Sequence, residues 1–245
     1  MRNLSQHIRP NRVIEALVRS PIREPAPRQL GALVCETCHL LARADDILSK
    51  GMTPSEVPDS LLETISRGAI LDQKLEAWAD ALPEHYRYKS VHTPDYPLEN
   101  TLELHPIPSF HLYSNIFIAS SWNLNRITRM ILLTNVGKWI SALVKASPQK
   151  TKSTENKDYD LQTTDKIQSL VGDICASVPY LLGELDQEGK LQYPQHTKAI
   201  GGLYLLFPLR AMLFIDSIDP VQKAWIRKRL AYIKNAVGIQ GALPD

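Results

Sequence analysis

Apolar positions recur at three- and four-residue spacing along most of the chain, and nowhere with period two over a useful length. The clearest stretch is Leu61, Ile65, Gly68, Leu71, Leu75, Trp78 and Leu82. Its 4-3-3-4-3-4 steps trace one face of a 3.6-residue helix. Asp59 or Ser60 is expected to cap its start, with Glu63 set for a capping box on Ser60, and Pro83 to end it. A preceding helix over 28–50 is marked by Leu30, Leu33, Val34, Thr37, Leu40, Leu41, Ala44 and Leu48, with Gly51 at its C-terminal cap. Phe110 to Val144 holds no proline and is apolar on two stripes. One is Tyr113, Phe117, Leu124, Ile127 and Ile131; the other runs from Leu112 through Ile116, Ala119, Met130, Leu133 and Ile140 to Val144. A helix apolar on more than one side belongs at the centre of a bundle. Unbroken, it would span roughly 50 Å, and Gly137 is the place for a kink.

The pattern is weaker elsewhere. Residues 1–27 are rich in Arg and Pro and read as a loosely packed arm with one short helix, because Pro21, Pro25 and Pro27 break anything longer. Residues 83–109 hold five prolines and predict an extended connection, pinned by Tyr86, Tyr88, Tyr96 and Leu104. Residues 145–160 are polar and predict a mobile loop. Helical spacing returns with Ile167, Leu170, Val171, Ile174, Cys175 and Val178, which Pro179 should kink or end. The next helix, His196 to Ile218, should bend at Pro208. Pro220 suits the first turn of the last helix, which carries Trp225, Ile226, Leu230 and Ile233 and closes near Gly238. These elements predict an all-α fold: an irregular multi-helix bundle around a long central helix, with 28–245 as one domain.

Composition changes this picture mainly by exclusion. With 44% apolar residues in 245, the chain can bury a core. A net charge of +2 is too small for a stand-alone nucleic-acid binder. No Gly-rich phosphate loop, H-E-x-x-H or G-x-S-x-G string is present. Three cysteines make no disulfide framework, and the N-terminal stretch lacks the apolar core of a secretory signal. Ile107 to Asn125, a long stretch without Asp, Glu, Lys or Arg, is too polar to be a membrane span. An intracellular, soluble, reduced protein is expected.

Candidate chemistry is thin. Cys35-Glu36-Thr37-Cys38-His39 spells the haem-attachment string C-x-x-C-H, but it lies inside a helical frame. Two reduced cysteines on a helix are the expectation, with haem, redox and zinc use as alternatives. A zinc site would need two more ligands, for which Cys175 and His196 are conceivable. Asp45-Asp46 lacks the second carboxylate one turn on that a magnesium site needs, so it reads as a solvated face. His85, His92, His105 and His111 read as surface or hydrogen-bonded loop histidines, none of them a catalytic base. Arg126 and Arg129 stand one turn apart on the apolar central helix, where a charge must be paired or reach solvent. The expectation is a buried ion pair, with Asp72 as partner; a ligand carboxylate is the functional alternative. Arg227-Lys228-Arg229 reads as a wet helix face.

Four blocks carry a family resemblance. Leu71-Asp72-Gln73-Lys74-Leu75-Glu76-Ala77-Trp78 continues to Leu82-Pro83, and Trp122-Asn123-Leu124-Asn125-Arg126-Ile127-Thr128-Arg129 to Leu132. Gly202 to Leu209 and Gly238 to Ala242 follow. In order and spacing, over residues 28 to 243, they resemble the C-terminal regulatory region of fungal zinc-cluster transcription factors, the helical fungal-specific transcription factor domain of the second type. The resemblance implies a nuclear regulatory domain with no catalysis, acting on RNA polymerase II transcription, of metabolic genes above all. It implies protein partners in the transcription machinery or among co-regulators, with a small-molecule effector and a homodimer as further options. The signature residues are Leu71, Asp72, Leu75, Trp78, Trp122, Asn123, Arg126 and Arg129, read as structural. The family's DNA-reading module is an N-terminal binuclear zinc cluster on six cysteines. This chain has three cysteines in all. No zinc or other cofactor, no DNA contact and no membrane contact are therefore expected of it. It would be a fragment, a gene product shortened at its start, or a regulatory homologue. The alternative function is a helical interaction module or cofactor without DNA-binding activity, and after that a haem or metal-dependent enzyme.

Overall fold

The computed structural model describes residues 6–7, 9, 25–49, 57–92, 109–146, 153–186, 188–190 and 199–238. The chain is all-α. Among these residues lie six helices: α1 (Pro25–Ser49), α2 (Val57–Asp80), α3 (Ile116–Ala146), α4 (Ser153–Leu182), α5 (Ala199–Met212) and α6 (Pro220–Val237). One 3-10 turn, Glu84–Tyr86, precedes a two-stranded sheet of β1 (Lys89–His92) and β2 (Ser109–Leu112). The structure forms two compact units. The first takes the chain up to Leu82 with Thr128–Ile167, and the second takes Pro83–Ile127 with the chain from Gln168 onward. Of the three boundaries, the two at 127/128 and 167/168 fall inside helices, so α3 and α4 each contribute to both units.

In the first unit, α1 and α2 pack together. Leu61, Leu71, Leu75 and Trp78 are buried, as the spacing of α2 predicts, and each such side chain contributes about 1.5–3 kcal/mol. Gly68 sits among them because a Cβ there would come within 2.6 Å of Val136 Cγ2 on α3. The Trp78 indole N–H donates to the Ala26 carbonyl at 2.9 Å and ties α2 to the start of α1. Three expectations shift here. Helix α1 starts at Pro25, inside the stretch assigned to the arm, because proline suits a first turn whose N–H groups have no intrahelical acceptor. The phase of α1 buries Ile47 and leaves Leu48 exposed. Helix α2 starts at Val57, so Ser60 is no cap: its carbonyl accepts from the Thr64 hydroxyl at 2.8 Å.

In the second unit, the antiparallel register pairs Lys89 with Leu112, Ser90 with His111, Val91 with Phe110 and His92 with Ser109. This hairpin replaces part of the expected extended connection and the first turns of the expected central helix. Asn115 accounts for the difference. Its side-chain oxygen accepts from the backbone N–H of Phe117 and of Ile118, both at 3.0 Å, and caps α3 at Ile116. Tyr113 therefore precedes the helix, and Phe117 on its first turn is exposed. Helix α4 runs past Pro179 and closes on Gly183 at φ 81°, with Glu184 N–H bonding Pro179 O and Gly183 N–H bonding Tyr180 O. Helix α5 crosses close by, since a Cβ on Gly201 would collide with the Leu181 carbonyl. Pro208 lies inside α5, which ends at Met212, short of Ile218. Pro220 opens the first turn of α6 and Gly238 closes the helix at φ 72°, as the sequence predicts, and Asp219 adds an N-cap by accepting from Val221 N–H at 2.6 Å.

Helix α4 also starts within the polar stretch expected to be a loop, at Ser153. Its first residues include Glu155, Lys157, Leu161 and Gln162, which form helix without an apolar face. Helix α3 continues through Gly137 for 31 residues. Among the described residues, Ile116–Lys145 is one helix long and apolar enough to cross a membrane, with a mean hydropathy of 1.2. Of that apolar window, 56% is buried inside the protein, as befits a core helix. Gly51, Tyr96, Leu104, His105, His196 and the block from Ile239 to Ala242 lie outside the described residues.

Candidate functional site

Two buried arginines on α3, one in each unit, organise the charged chemistry of the chain. In the first unit Arg129 is paired with two carboxylates. Its Nε and Nη2 donate to the two carboxylate oxygens of Asp72 at 2.7 and 3.2 Å, and Nη2 also donates to Glu76 at 2.9 Å. Lys166 Nζ lies 3.6 Å from Asp72. Asp72 and Glu76 are one turn apart on α2, so a single guanidinium reaches both. Burial works against the Arg129 charge, and these bonds outweigh it and raise its pKa. The pairing with Asp72 is the one its place beside the Leu71–Trp78 stripe suggests.

In the second unit Arg126 is 1% exposed and sits in an aromatic cage. Its guanidinium carbon lies 5.0 Å from the Tyr88 ring centre and 5.2 Å from that of Trp122. Nη1 donates to the Tyr113 hydroxyl at 2.7 Å and to Asn123 Oδ1 at 3.1 Å. Nη2 is 3.4 Å from His111 Nδ1. The only carboxylate near it among the described residues is Asp173, whose oxygen is 3.5 Å from Nε and whose side chain is 37% exposed. That contact lacks hydrogen-bond geometry, and the buried Nε–H has no hydrogen-bond partner. Burial opposes the Arg126 charge, and Tyr113, Asp173 and Tyr88 push the other way, leaving its pKa raised.

The groups around Arg126 are held rather than poised for reaction. Burial, then the Arg126 charge, push His111 down to about 3, so its imidazole is neutral at pH 7. Burial pushes the Tyr113 phenol up to about 12. Tyr113 Oη and His111 Nδ1 are 3.2 Å apart, and Tyr88 packs on His111 at 4.0 Å between ring centres. The Asn123 amide donates to Ser177 Oγ at 2.8 Å, and Ser177 in turn donates to the Ile174 carbonyl at 2.6 Å. The Trp122 N–H donates to the Tyr86 carbonyl at 2.8 Å. The arrangement bolts the hairpin and the 3-10 turn to α3 and α4.

The signature residues thus separate by unit. Leu71, Asp72, Leu75, Trp78 and Arg129 build one network, and Trp122, Asn123 and Arg126 build the other. Sequence reasoning missed Tyr88, His111, Tyr113 and Asp173 as partners of Arg126. His111 is a buried strand residue rather than a loop histidine, whereas His85 and His92 are exposed. The signal that could have found it is Asn115 before Ile116, an N-cap that leaves Phe110 to Ser114 outside the helix.

Other candidates disperse. Cys38 is buried beside exposed His39, and burial, aided by Cys35, pushes its thiol up to about 11. Burial pushes Cys175 up to about 12, and it belongs to the second unit whereas Cys35 and Cys38 belong to the first. Among the described residues no group of three or more His, Cys, Asp or Glu side chains could hold a metal ion. Asp45 and Asp46 hold His7 at 2.7 Å and Arg9 at 2.6 Å. Arg229 turns inward to Glu184 at 2.7 Å, so only Arg227 and Lys228 of that cluster are exposed. An open cleft of about 640 Å³ lies at the start of α6, lined by Gln168, Asp216, Ser217 and Asp219 among others.

No family model matches the chain. No solved structure matches it. Over 242 residues it is 23% identical to the transcription factor dbaG of Emericella nidulans. The match takes in 94% of this chain and 54% of that protein, so the chain spans about half the length of the curated relative it matches. What it is similar to is therefore a fungal transcription factor.

Proposed function

We propose that this chain is a regulatory region, one that does not read DNA, of a fungal zinc-cluster-type transcription factor. It would act in the nucleus on RNA polymerase II transcription, of metabolic genes above all. The observation that carries the reading is the similarity to dbaG, which extends over nearly the whole chain rather than over one motif. The buried chemistry is in keeping with it: the histidine and cysteines of the core are held in their neutral forms by burial. In this reading zinc belongs to a separate N-terminal cluster. A co-regulator or small-molecule effector works by favouring one of two packings of the helices. The element suited to such a shift is the β1–β2 hairpin, which packs around a buried guanidinium that keeps one N–H unbonded.

Two measurements test the proposal together. The chain is titrated with random-sequence duplex DNA at low and at physiological salt, where weak binding that fades with salt is expected. The chain is also fused to a heterologous DNA-binding module and assayed on a reporter in a fungal host, where a change in transcription over the module alone is expected. Binding that distinguishes DNA sequences, or a fusion indistinguishable from the bare module, would overturn the proposal.

A further inference from the structure

Helix α6 carries five basic residues, Lys223, Arg227, Lys228, Arg229 and Lys234, and no acidic one in 18 residues. Arg229 is consumed by Glu184 in the interior. Lys223, Arg227 and Lys234 differ: no carboxylate pairs with them among the described residues, and Arg227 and Lys234 are exposed. Their i, i+4, i+11 spacing sets the three within about 40° of one another around the helix axis. They form one cationic ridge.

Helix α5, which packs on α6, shows solvent the opposite chemistry. It has a single charge, Arg210, in 14 residues. Ile200 and Leu203, one turn apart, are 54% and 55% exposed, and Phe214 just beyond the helix is 71% exposed. Phe117 adds to this apolar surface, with its ring centre 6.1 Å from that of Tyr204 on α5. An apolar ridge and an unneutralised cationic ridge therefore stand on two adjoining helices of one unit.

We infer that the α5–α6 pair is a docking surface for an acidic amphipathic helical segment of a partner protein, its apolar side on Ile200, Leu203 and Phe214 and its carboxylates on Lys223, Arg227 and Lys234. Charge complementarity selects this occupant. A second copy of the chain would bring two cationic ridges together. Nucleic acid would neutralise the cations and leave the apolar ridge uncovered. The inference goes beyond the transcriptional reading and holds without it.

The test uses the whole chain and a fluorescent peptide of about four helical turns, with Leu on one face and Glu on the other. Anisotropy is expected to show saturable binding that weakens with salt. A matched peptide with Lys for Glu should not bind. Charge reversal in Arg227→Glu/Lys234→Glu and, separately, Leu203→Asp should each weaken binding about tenfold or more, with unchanged far-ultraviolet circular dichroism. The peptide comparison on the unmodified chain decides the matter even if a variant misfolds. Equal binding of the two peptides, or charge reversal without effect, would overturn the inference. So would self-association abolished by Leu203→Asp, or displacement of the peptide by duplex DNA or by phosphatidylserine vesicles.

Discussion

Arg126 and Arg129 lie one turn apart on one helix, yet they solve the problem of a buried charge in different ways. Arg129 meets two carboxylates from a single face of α2, and its partner Asp72 is as buried as itself. Arg126 is the more deeply buried of the two, but it is surrounded by aromatic faces and neutral acceptors, with its one nearby carboxylate half in water. The difference teaches that the cost of losing a buried charge is set by what is left behind. Without Arg129, the Asp72 carboxylate stays in the core facing only the 3.6 Å contact of an exposed lysine. Without Arg126, Asp173, whose side chain is 37% exposed, keeps its access to solvent, and the other stranded groups are neutral.

The largest expected effect follows from that asymmetry. Arg129→Met should destabilise the first unit by about 3–5 kcal/mol, the cost of an uncompensated buried carboxylate. Arg126→Met should cost the second unit only about 1–3 kcal/mol, the cost of lost hydrogen bonds. Urea unfolding followed by segment-resolved hydrogen exchange reads the two units separately. An Arg126 variant as damaging as the Arg129 variant would mean that Asp173 is trapped rather than released.

The pair was unevenly legible in the sequence, for the same reason. Asp72 and Arg129 both sit on helices whose apolar stripes run long enough to give the period, so their meeting could be anticipated. The Arg126 partners Tyr88, His111 and Tyr113 come from strands of four residues and their flanks, too short for alternation to show. The Asn115 cap moved His111 and Tyr113 out of a helix that hydropathy alone extends back to Phe110. The start of α4 at Ser153 was hidden in the opposite way, since a polar helix end has no stripe to read. The ends of α6 at Pro220 and Gly238 were legible because those residues themselves state the geometry.

Acid should reach the second unit through His111. Its folded pKa of about 3 lies below the ordinary value of 6.5, so below pH 6.5 the unfolded chain binds the extra proton. Stability should therefore fall by about 1.4 kcal/mol per pH unit from about pH 6 down toward pH 3 on this account. Burial, and after it Arg126 at 3.4 Å, oppose protonation in the folded state and outweigh the Asp173 carboxylate 3.9 Å from Nε2. Buried Glu184, whose pKa is raised by burial, contributes in the opposite sense. Comparing the chain with His111→Phe at each pH removes the Glu184 contribution, and the variant should lose the slope. A slope unchanged by the variant would place the acid sensitivity elsewhere.

Two glycines compare the units at the level of packing. Gly201→Ala drives a methyl group into the Leu181 carbonyl, which is backbone and cannot step aside, so a loss of about 3 kcal/mol is expected. Gly68→Ala meets the Val136 side chain at 2.6 Å, a methyl group that a small shift can move where a backbone carbonyl cannot, so the loss should be smaller, about 1–2 kcal/mol. Thermal unfolding of the two variants side by side measures the difference. Equal losses would show that α2 and α3 are as rigidly opposed as α4 and α5.

The smallest effect is the sharpest test of the cage. Asp173→Asn removes the only carboxylate near Arg126 among the described residues, yet its contact with the guanidinium is 3.5 Å long, lacks hydrogen-bond geometry and is partly screened by solvent, and its contact with His111 Nε2 is 3.9 Å. The expected cost is below about 1 kcal/mol, the range of exposed ion pairs. Asp72→Asn, by contrast, turns a charged bidentate partner into a single neutral acceptor and should cost about 2–3 kcal/mol, because Arg129 then keeps Glu76 as its one carboxylate among the described residues. If Asp173→Asn cost as much as Asp72→Asn, the aromatic faces of Tyr88 and Trp122 would not be what holds the Arg126 charge. A near-silent Asp173→Asn combined with a damaging Trp122→Leu would assign that role to the rings, and would make the hairpin's hold on α3 a matter of stacking rather than of ion pairing.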